Sequence, residues 1–159
     1  MDTDNLFIGG DSAGGHLAMM LGFQTPNIKG IIDIYGPTNL TEAYNDDLIS
    51  LEKFLMLNLF GQTPEENSQI WADASPVNFV NENSPPILIL HGVYDTIVPI
   101  NQSTELRNKY DEYSRKYIYA HQYSTHGWTL FPYSQSNKRT LPLIASFLRQ
   151  EMSTKDYTN

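Results

Sequence analysis

Along this chain, short unbroken apolar runs alternate with longer stretches in which apolar residues recur every three or four positions. The first rhythm predicts buried strands and the second predicts helices. Leu6-Phe7-Ile8 is such a run. The residues from about Ala13 to Phe23 read as a helix that ends before Pro26, with Leu17, Met20 and Leu21 on one face, expected to point into the core. Lys29-Gly30-Ile31-Ile32-Asp33-Ile34-Tyr35 is a β-branched run stopped by Gly36-Pro37, as a buried parallel strand would be. Asp33, in its middle, must find donors or a cation, or take a proton. A structural role is expected of it, because a strand interior is the wrong place to meet substrate.

Residues 38–76 break the alternation. A helix is expected around Leu48–Phe60, with Leu51, Phe54, Leu55 and Leu59 on one side. A second helix start is expected at Thr63-Pro64-Glu65-Glu66, with Thr63 as N-cap, Pro64 at N1 and Glu66 at N3. A helical insert of this kind either roofs a pocket over the sheet's carboxyl edge or is a plain connection. After Ser84-Pro85-Pro86, Ile87-Leu88-Ile89-Leu90 is apolar throughout, which predicts a strand buried on both faces. A helix from Asn101 or Ser103 to about Lys116 follows, then an alternating strand over Tyr117–Tyr123. A last helix, about Asn137 to Glu151, carries Leu141, Ile144, Ala145 and Leu148 on one face, and the tail from Met152 reads as frayed. Strand, helix, strand, helical insert, strand, helix, strand, helix is the order of an α/β domain: a parallel sheet of about four strands with flanking helices, one domain over residues 1–159.

Composition narrows the function classes. The chain has 159 residues, ordinary globular content and a net charge of −8, which argues against a nucleic-acid or anionic-membrane surface. With no cysteine there is no disulfide framework, no thiolate nucleophile and no cysteine metal site. No apolar run reaches the length of a membrane span. MDTDNLFIGG shows no basic region and no cleavable apolar core, so no secretory signal is visible and a cytoplasmic setting is the default.

The candidate chemistry starts at Asn5–Leu21, where an apolar run enters Gly9-Gly10-Asp11-Ser12-Ala13-Gly14-Gly15 and a helix follows at once. Gly10-x-Ser12-x-Gly14 between a strand and a helix is a nucleophile elbow. The serine sits in a strained conformation at a sharp turn, so a Cβ on its neighbours would collide with the adjoining elements. The turn exposes Oγ and begins a helix whose first amides favour developing negative charge. Strand ends at the carboxyl edge of a parallel sheet are where functional groups gather, and Ser12, Asp95 and His126 occupy three of them. A serine hydroxyl is a poor nucleophile until an imidazole takes its proton, and the imidazole needs a carboxylate to fix its tautomer. For the base, His121 lies within an alternating strand and reads as structural, whereas His126 follows the strand's end. His91 is expected to shape the acid loop, and His16, in a helix's first turn, to pack or face solvent. For the acid, Asp95 alone follows a buried strand directly, unlike Asp73 and Asp111. Asp11, beside the nucleophile, reads as a structural or pocket-edge group. No pair of histidines has helical ligand spacing, so neither a metal nor another cofactor is expected.

On these residues the chain resembles the α/β-hydrolase fold, and within it the carboxylesterases similar to hormone-sensitive lipase and to bacterial feruloyl and acetyl esterases. Gly10-Asp11-Ser12-Ala13-Gly14-Gly15-His16-Leu17-Ala18 resembles that family's elbow, and Ala74-Ser75-Pro76-Val77 the segment that often closes its insert. His91-Gly92-x-x-Asp95-x-x-Val98-Pro99 resembles its acid loop, and His126-Gly127 its base loop. The order Ser, Asp, His is the family's as well. The resemblance implies a serine hydrolase of small carboxylic esters working through an acyl-enzyme: Ser12 as nucleophile, His126 as base, Asp95 as acid and the Ala13 amide in the oxyanion hole.

Such enzymes also carry some four strands and a His-Gly-Gly oxyanion loop before the elbow, and here the elbow lies a dozen residues from Met1. The match is to the fold's C-terminal half, so the expectation is a fragment, a truncated gene model or half of a split protein, with the Leu6–Ile8 edge open to self-association or to a complementing N-terminal half. The alternatives are a non-catalytic remnant or interaction module, and a peptidase of the prolyl-oligopeptidase type. In the latter, the elbow usually has an aromatic where Ala13 stands.

Overall fold

The computed structural model describes residues 5–46 and 50–153, without the side chains of residues 50–52. Four parallel strands form one sheet: β1 (Leu6–Asp11), β2 (Ile28–Ile34), β3 (Ile87–Gly92) and β4 (Tyr117–Gln122). They lie side by side in chain order, with β1 on one edge. The register pairs Asp11 with Ile34, Ile34 with Leu90 and Gly92 with Gln122, so the strands finish along one common edge. Chain order equals spatial order because each connection, even the long one that carries the insert, returns the chain beside the strand it left. Ile87, Leu88, Ile89 and Leu90 are fully buried, one pair on each face. Ile87 and Ile89 pack with Ile31, Met19, Leu106 and Tyr110. On the other face, Leu88 and Leu90 pack with Ile32, Trp128 and Phe147.

Helix α1 (Ala13–Gln24) corrects one expectation. Leu17 and Leu21 are 65% and 56% exposed, and the buried residues are Gly15, Ala18, Met19 and Gly22. These four also recur at i, i+3, i+4, i+7. Small side chains let the helix approach the sheet so closely that a Cβ on Gly22 would lie 2.6 Å from Ile31 Cδ1. Closeness of approach, rather than side-chain size, selects the buried face, because dispersion fades over fractions of an ångström.

The insert contains α2 (Leu40–Asn45), α3 (Ser50–Phe60) and α4 (Ser68–Asp73), then a 3-10 turn over Pro76–Phe79. Leu48 and the Leu51 side chain lie outside the described residues, and Phe54, Leu55 and Leu59 on α3 face solvent. The helix expected from Thr63 is a single turn. Thr63 N–H does donate to Glu66 Oε2 (2.8 Å) and Glu66 N–H to Thr63 Oγ (3.3 Å), the reciprocal capping pair. The chain then extends at Asn67, whose side chain caps α4 instead. Trp71, fully buried, is the insert's own core, with the Tyr44 and Phe60 rings at 5.0 and 4.6 Å. The two ends of the insert meet where Val77 N–H donates to Thr38 O at 3.0 Å and Leu40 N–H to Ser75 Oγ at 2.9 Å.

Helix α5 (Asn101–Glu112) stops four residues before Lys116, where Ser114 turns left-handed at φ 51°. Helix α6 (Gln135–Ser153) begins two residues before Asn137 and buries Phe147, while Leu141 at its start is exposed. Residues 154–159 of the tail lie outside the described residues.

Candidate active site

Strand β1 delivers Ser12 to the carboxyl edge in a backbone conformation that L-residues seldom adopt, φ 53° and ψ −125°. Its amide donates to Ile34 O (2.9 Å), and His16 N–H donates to Ser12 O (3.1 Å), so the turn is tied to both β2 and α1. The glycine before it is obligatory, since a Cβ on Gly10 would fall onto the Gly14 carbonyl. Ala13, exposed, is the first residue of α1, in the turn where amides lack intrahelical acceptors.

Beyond β3 the chain turns through Val93 and Tyr94 to Asp95, whose side chain is wholly buried. Asp95 Oδ1 accepts the amides of Ile97 (3.0 Å) and Val98 (2.9 Å). His91, buried in β3, holds this loop from beneath. Its Nε2–H donates to Val98 O (2.8 Å), which leaves Nδ1 to accept from Ser103 Oγ–H on α5 (2.5 Å). Burial holds the His91 imidazole below its ordinary pKa, which favours the neutral ring 3.6 Å from the Asp95 carboxylate.

Past β4, Gly127 takes the left-handed φ of 77° and the chain enters a 3-10 turn over Trp128–Leu130, which presents His126. His126 Nδ1 lies 2.8 Å from Asp95 Oδ2, and His126 Nε2 lies 2.8 Å from Ser12 Oγ. A carboxylate only accepts, so Nδ1 carries the proton and Nε2 is free to accept the serine's. The imidazole is 14% exposed, reachable from one side. The three residues picked at strand ends thus meet in one chain of hydrogen bonds.

The other candidates fall elsewhere. His121 is exposed on β4, against the Tyr119 ring. His16 Nε2–H donates to Ala74 O (2.8 Å), pinning α1 to the closing segment of the insert. Asp33 is fully buried within β2; Oδ1 accepts only Gly36 N–H (3.0 Å), Oδ2 has no partner, and desolvation pushes its carboxyl up to about 8. Asp11 accepts from Tyr35 O–H (3.0 Å) and from Thr129 Oγ–H. Among the described residues no group of three or more His, Asp or Glu could hold a metal ion, and no helix is long and apolar enough to cross a membrane.

Sequence reasoning passed over Tyr35, Thr129 and Ser103. Tyr35 reads in the sequence as the last residue of the β2 run, but the strand stops at Ile34 and leaves Tyr35 just past its end. It has a left-handed φ of 46°, and its ring lies 4.6 Å from the His126 ring and 4.4 Å from that of Trp128. Thr129 and Ser103 carry no comparable signal; they are ordinary polar residues until the fold brings them to a partner.

Known proteins agree with this architecture. The model of the BD-FAE family matches residues 1–110, a stretch that includes Ser12 and Asp95 and ends before His126. Esterase LipC of Mycobacterium tuberculosis is 24% identical over 131 residues, covering 74% of this chain and 32% of that protein. Esterase LipQ of the same organism is 31% identical over 118 residues, 64% of this chain and 27% of its own length. The chain therefore spans less than a third of these curated relatives. Among solved structures, the acylaminoacyl peptidase of Pyrococcus horikoshii superposes with a TM-score of 0.85 at 19% identity, over 99% of this chain and 26% of that one. A truncated carbohydrate esterase from gut microbiota superposes at 0.76 with 25% identity, over 94% of this chain and 61% of that one. With the matched family model extending over most of the chain and the parallel sheet of an α/β-hydrolase beneath it, this chain belongs to the BD-FAE family.

Proposed function

We propose that this chain carries the reacting face of a serine hydrolase of carboxylic esters, with Ser12 as nucleophile, His126 as general base and Asp95 as the carboxylate that orients it. The observation that carries the reading is the unbroken relay of two 2.8 Å hydrogen bonds from Ser12 Oγ through His126 to Asp95. In the first half-reaction Oγ attacks the ester carbonyl carbon while its proton passes to His126 Nε2, and the oxyanion that forms is met by the Ala13 amide. The imidazolium is stabilised by Asp95 and returns the proton to the departing alcohol, leaving an acyl group on Ser12. Water, deprotonated by the same Nε2, then releases the acid. The relatives named as esterases favour an ester over an amide as the substrate.

The test is turnover of p-nitrophenyl acetate beside an aminoacyl anilide, with Ser12→Ala as control. Ester cleavage that Ser12→Ala abolishes is the expected result. Preference for the anilide would favour the peptidase, and no turnover with no covalent labelling of Ser12 would favour a non-catalytic module. Because only the Ala13 amide serves as oxyanion donor in this proposal, residues 1–159 alone should turn over esters about 10² more slowly than a longer relative. The open β1 edge, where Leu6 is exposed, should pair with a second copy or a complementing strand. A sharp monomer on sizing would overturn that part.

A further inference from the structure

Behind the relay lies a second set of hydrogen bonds that the reaction steps leave unused. Three segments of the chain reach it. Asp11 is the last residue of β1 and immediately precedes Ser12; Tyr35 immediately follows β2; Thr129 lies in the turn that presents His126. Tyr35 Oη–H and Thr129 Oγ–H both donate to Asp11 Oδ2, and the two hydroxyls also touch each other. The Tyr35 ring then lies against His126 on one side and Trp128 on the other, at interplanar angles of 57° and 72°. Trp128 is anchored in turn by Nε1–H to Thr140 Oγ (3.3 Å). Asn137 Nδ2, on α6, donates to the carbonyls of Trp128 (3.1 Å), Thr129 (3.2 Å) and Phe131 (2.9 Å).

This arrangement does more than fill space. His126 sits on a loop, and a loop residue holds an angle only if something fixes it. Asp95 and Ser12 fix the two nitrogens, but neither fixes the plane of the ring or the distance between its loop and the elbow. The Thr129–Asp11 bond fixes that distance, because Asp11 is covalently next to the nucleophile. Tyr35 fixes the plane, because its ring packs on the imidazole while its hydroxyl is tied to the same carboxylate. Tyr35 holds this place in a left-handed backbone conformation, φ 46°. The bond from Thr129, more than any other influence, holds the Asp11 carboxyl below its ordinary pKa, and the positive charge that His126 can carry adds the smallest share. The titratable groups around His126 are thus Asp95 at its Nδ1 edge, Tyr35 against its ring and Asp11 beyond the Tyr35 hydroxyl, with the buried, neutral His91 beyond Asp95.

We propose that Asp11, Tyr35 and Thr129 are positioning residues of the serine relay: they clamp the base loop to the nucleophile elbow, hold the His126 ring plane, and place a second carboxylate behind the imidazolium. The proposal rests on Ser12 as the nucleophile, so its test must fail separately from that reading. The chain is titrated with a fluorophosphonate probe, and the second-order rate of Ser12 phosphonylation is followed across the range in which imidazole titrates. In this step phosphorus–oxygen bond formation expels fluoride as the Ser12 proton passes to His126.

Tyr35→Phe and Thr129→Val should each label about 10-fold more slowly, with melting curves little changed, the loss expected when a base is misplaced. Thr129→Ser, which keeps the hydroxyl, should restore the rate. Asp11→Asn should move the acidic limb of the rate profile to lower pH, because a neutral amide no longer favours the protonated ring. A wild-type chain that labels at Ser12 while all three variants match it in rate and profile overturns the clamp and leaves the nucleophile standing. Rates that fall only in proportion to lost melting temperature, with the acidic limb unmoved, also overturn it, since a purely structural role would do that. No labelling of the wild-type chain sinks both readings together.

Discussion

Asp33 and Asp95 are both shut away from solvent, one inside β2 and the other just past the end of its neighbour β3, and the chain treats them differently. Asp95 lies three residues beyond the end of β3, where the backbone has left the ladder and its amides are free to turn inward. Two of them reach Oδ1 and an imidazole reaches Oδ2. Asp33 lies inside β2, where the amides on both sides are spent on neighbouring strands. One amide, that of Gly36, reaches it, and Oδ2 goes without a partner. Burial therefore costs the Asp33 carboxylate more than its donors return, and the group holds a proton up to about pH 8. In a parallel sheet, a carboxyl past the strand end can be a working anion, and the same carboxyl in the strand is a neutral packing group.

Exchanging the chemistry at the two positions should separate them. Asp95→Asn leaves the shape of the loop but presents an amide to His126 and favours the wrong tautomer; Ser12 reactivity should fall by about 10⁴, read as the rate of ester turnover or of covalent labelling. Asp33→Asn should leave that reactivity within a few-fold and change stability instead. The native carboxyl titrates near 8 and the unfolded one near about 4. The stabilisation from its bound proton is complete below about pH 4 and is lost as pH rises towards 8, at up to about 1.4 kcal/mol per pH unit. Urea midpoints of the wild-type chain should therefore decline over that window more steeply than those of Asp33→Asn, which are higher at the alkaline end; Glu42, raised to about 7, adds the same slope to both chains. Equal slopes in both chains would mean that Asp33 is charged in the native state.

Gly15→Ala gives the smallest effect and sharpens the comparison. The added Cβ would lie 2.5 Å from Asp33 Oδ1 and 3.2 Å from Gly10 O. A loss of about 1–3 kcal/mol is expected from overpacking, measured by chemical denaturation. In an Asp33→Ala background most of that loss should vanish, which a double-mutant cycle would report.

What the sequence made legible follows the same division. Strand order, and the meeting of Ser12, Asp95 and His126, were readable because strand ends are marked by apolar runs that stop at glycine, histidine or serine clusters. The elbow carried its own steric signature in Gly10; the same expectation fails at Gly14, where a Cβ would meet only Asp11 Oδ1 at 3.9 Å. The buried face of α1 was misread, since Leu17 and Leu21 advertise hydrophobicity while Gly15, Ala18 and Gly22 advertise only closeness. The helix expected at Thr63 shows a correct local cap followed by a second, stronger restart at Asn67. Partners such as Thr129 on Asp11 and Ser103 on His91 were illegible, because a single hydroxyl takes its meaning from a contact made elsewhere in the chain, here 118 and 12 residues away.

The measurement that bears hardest on the site is the mapping of a fluorophosphonate adduct by peptide mass spectrometry, in the wild-type chain and in Ser12→Ala, His126→Gln and Asp95→Asn. One adduct on the peptide containing Ser12, absent in Ser12→Ala and formed far more slowly in the other two, is the expected pattern. An adduct on a different residue, or labelling of Ser12 that His126→Gln and Asp95→Asn leave unchanged, would contradict the relay.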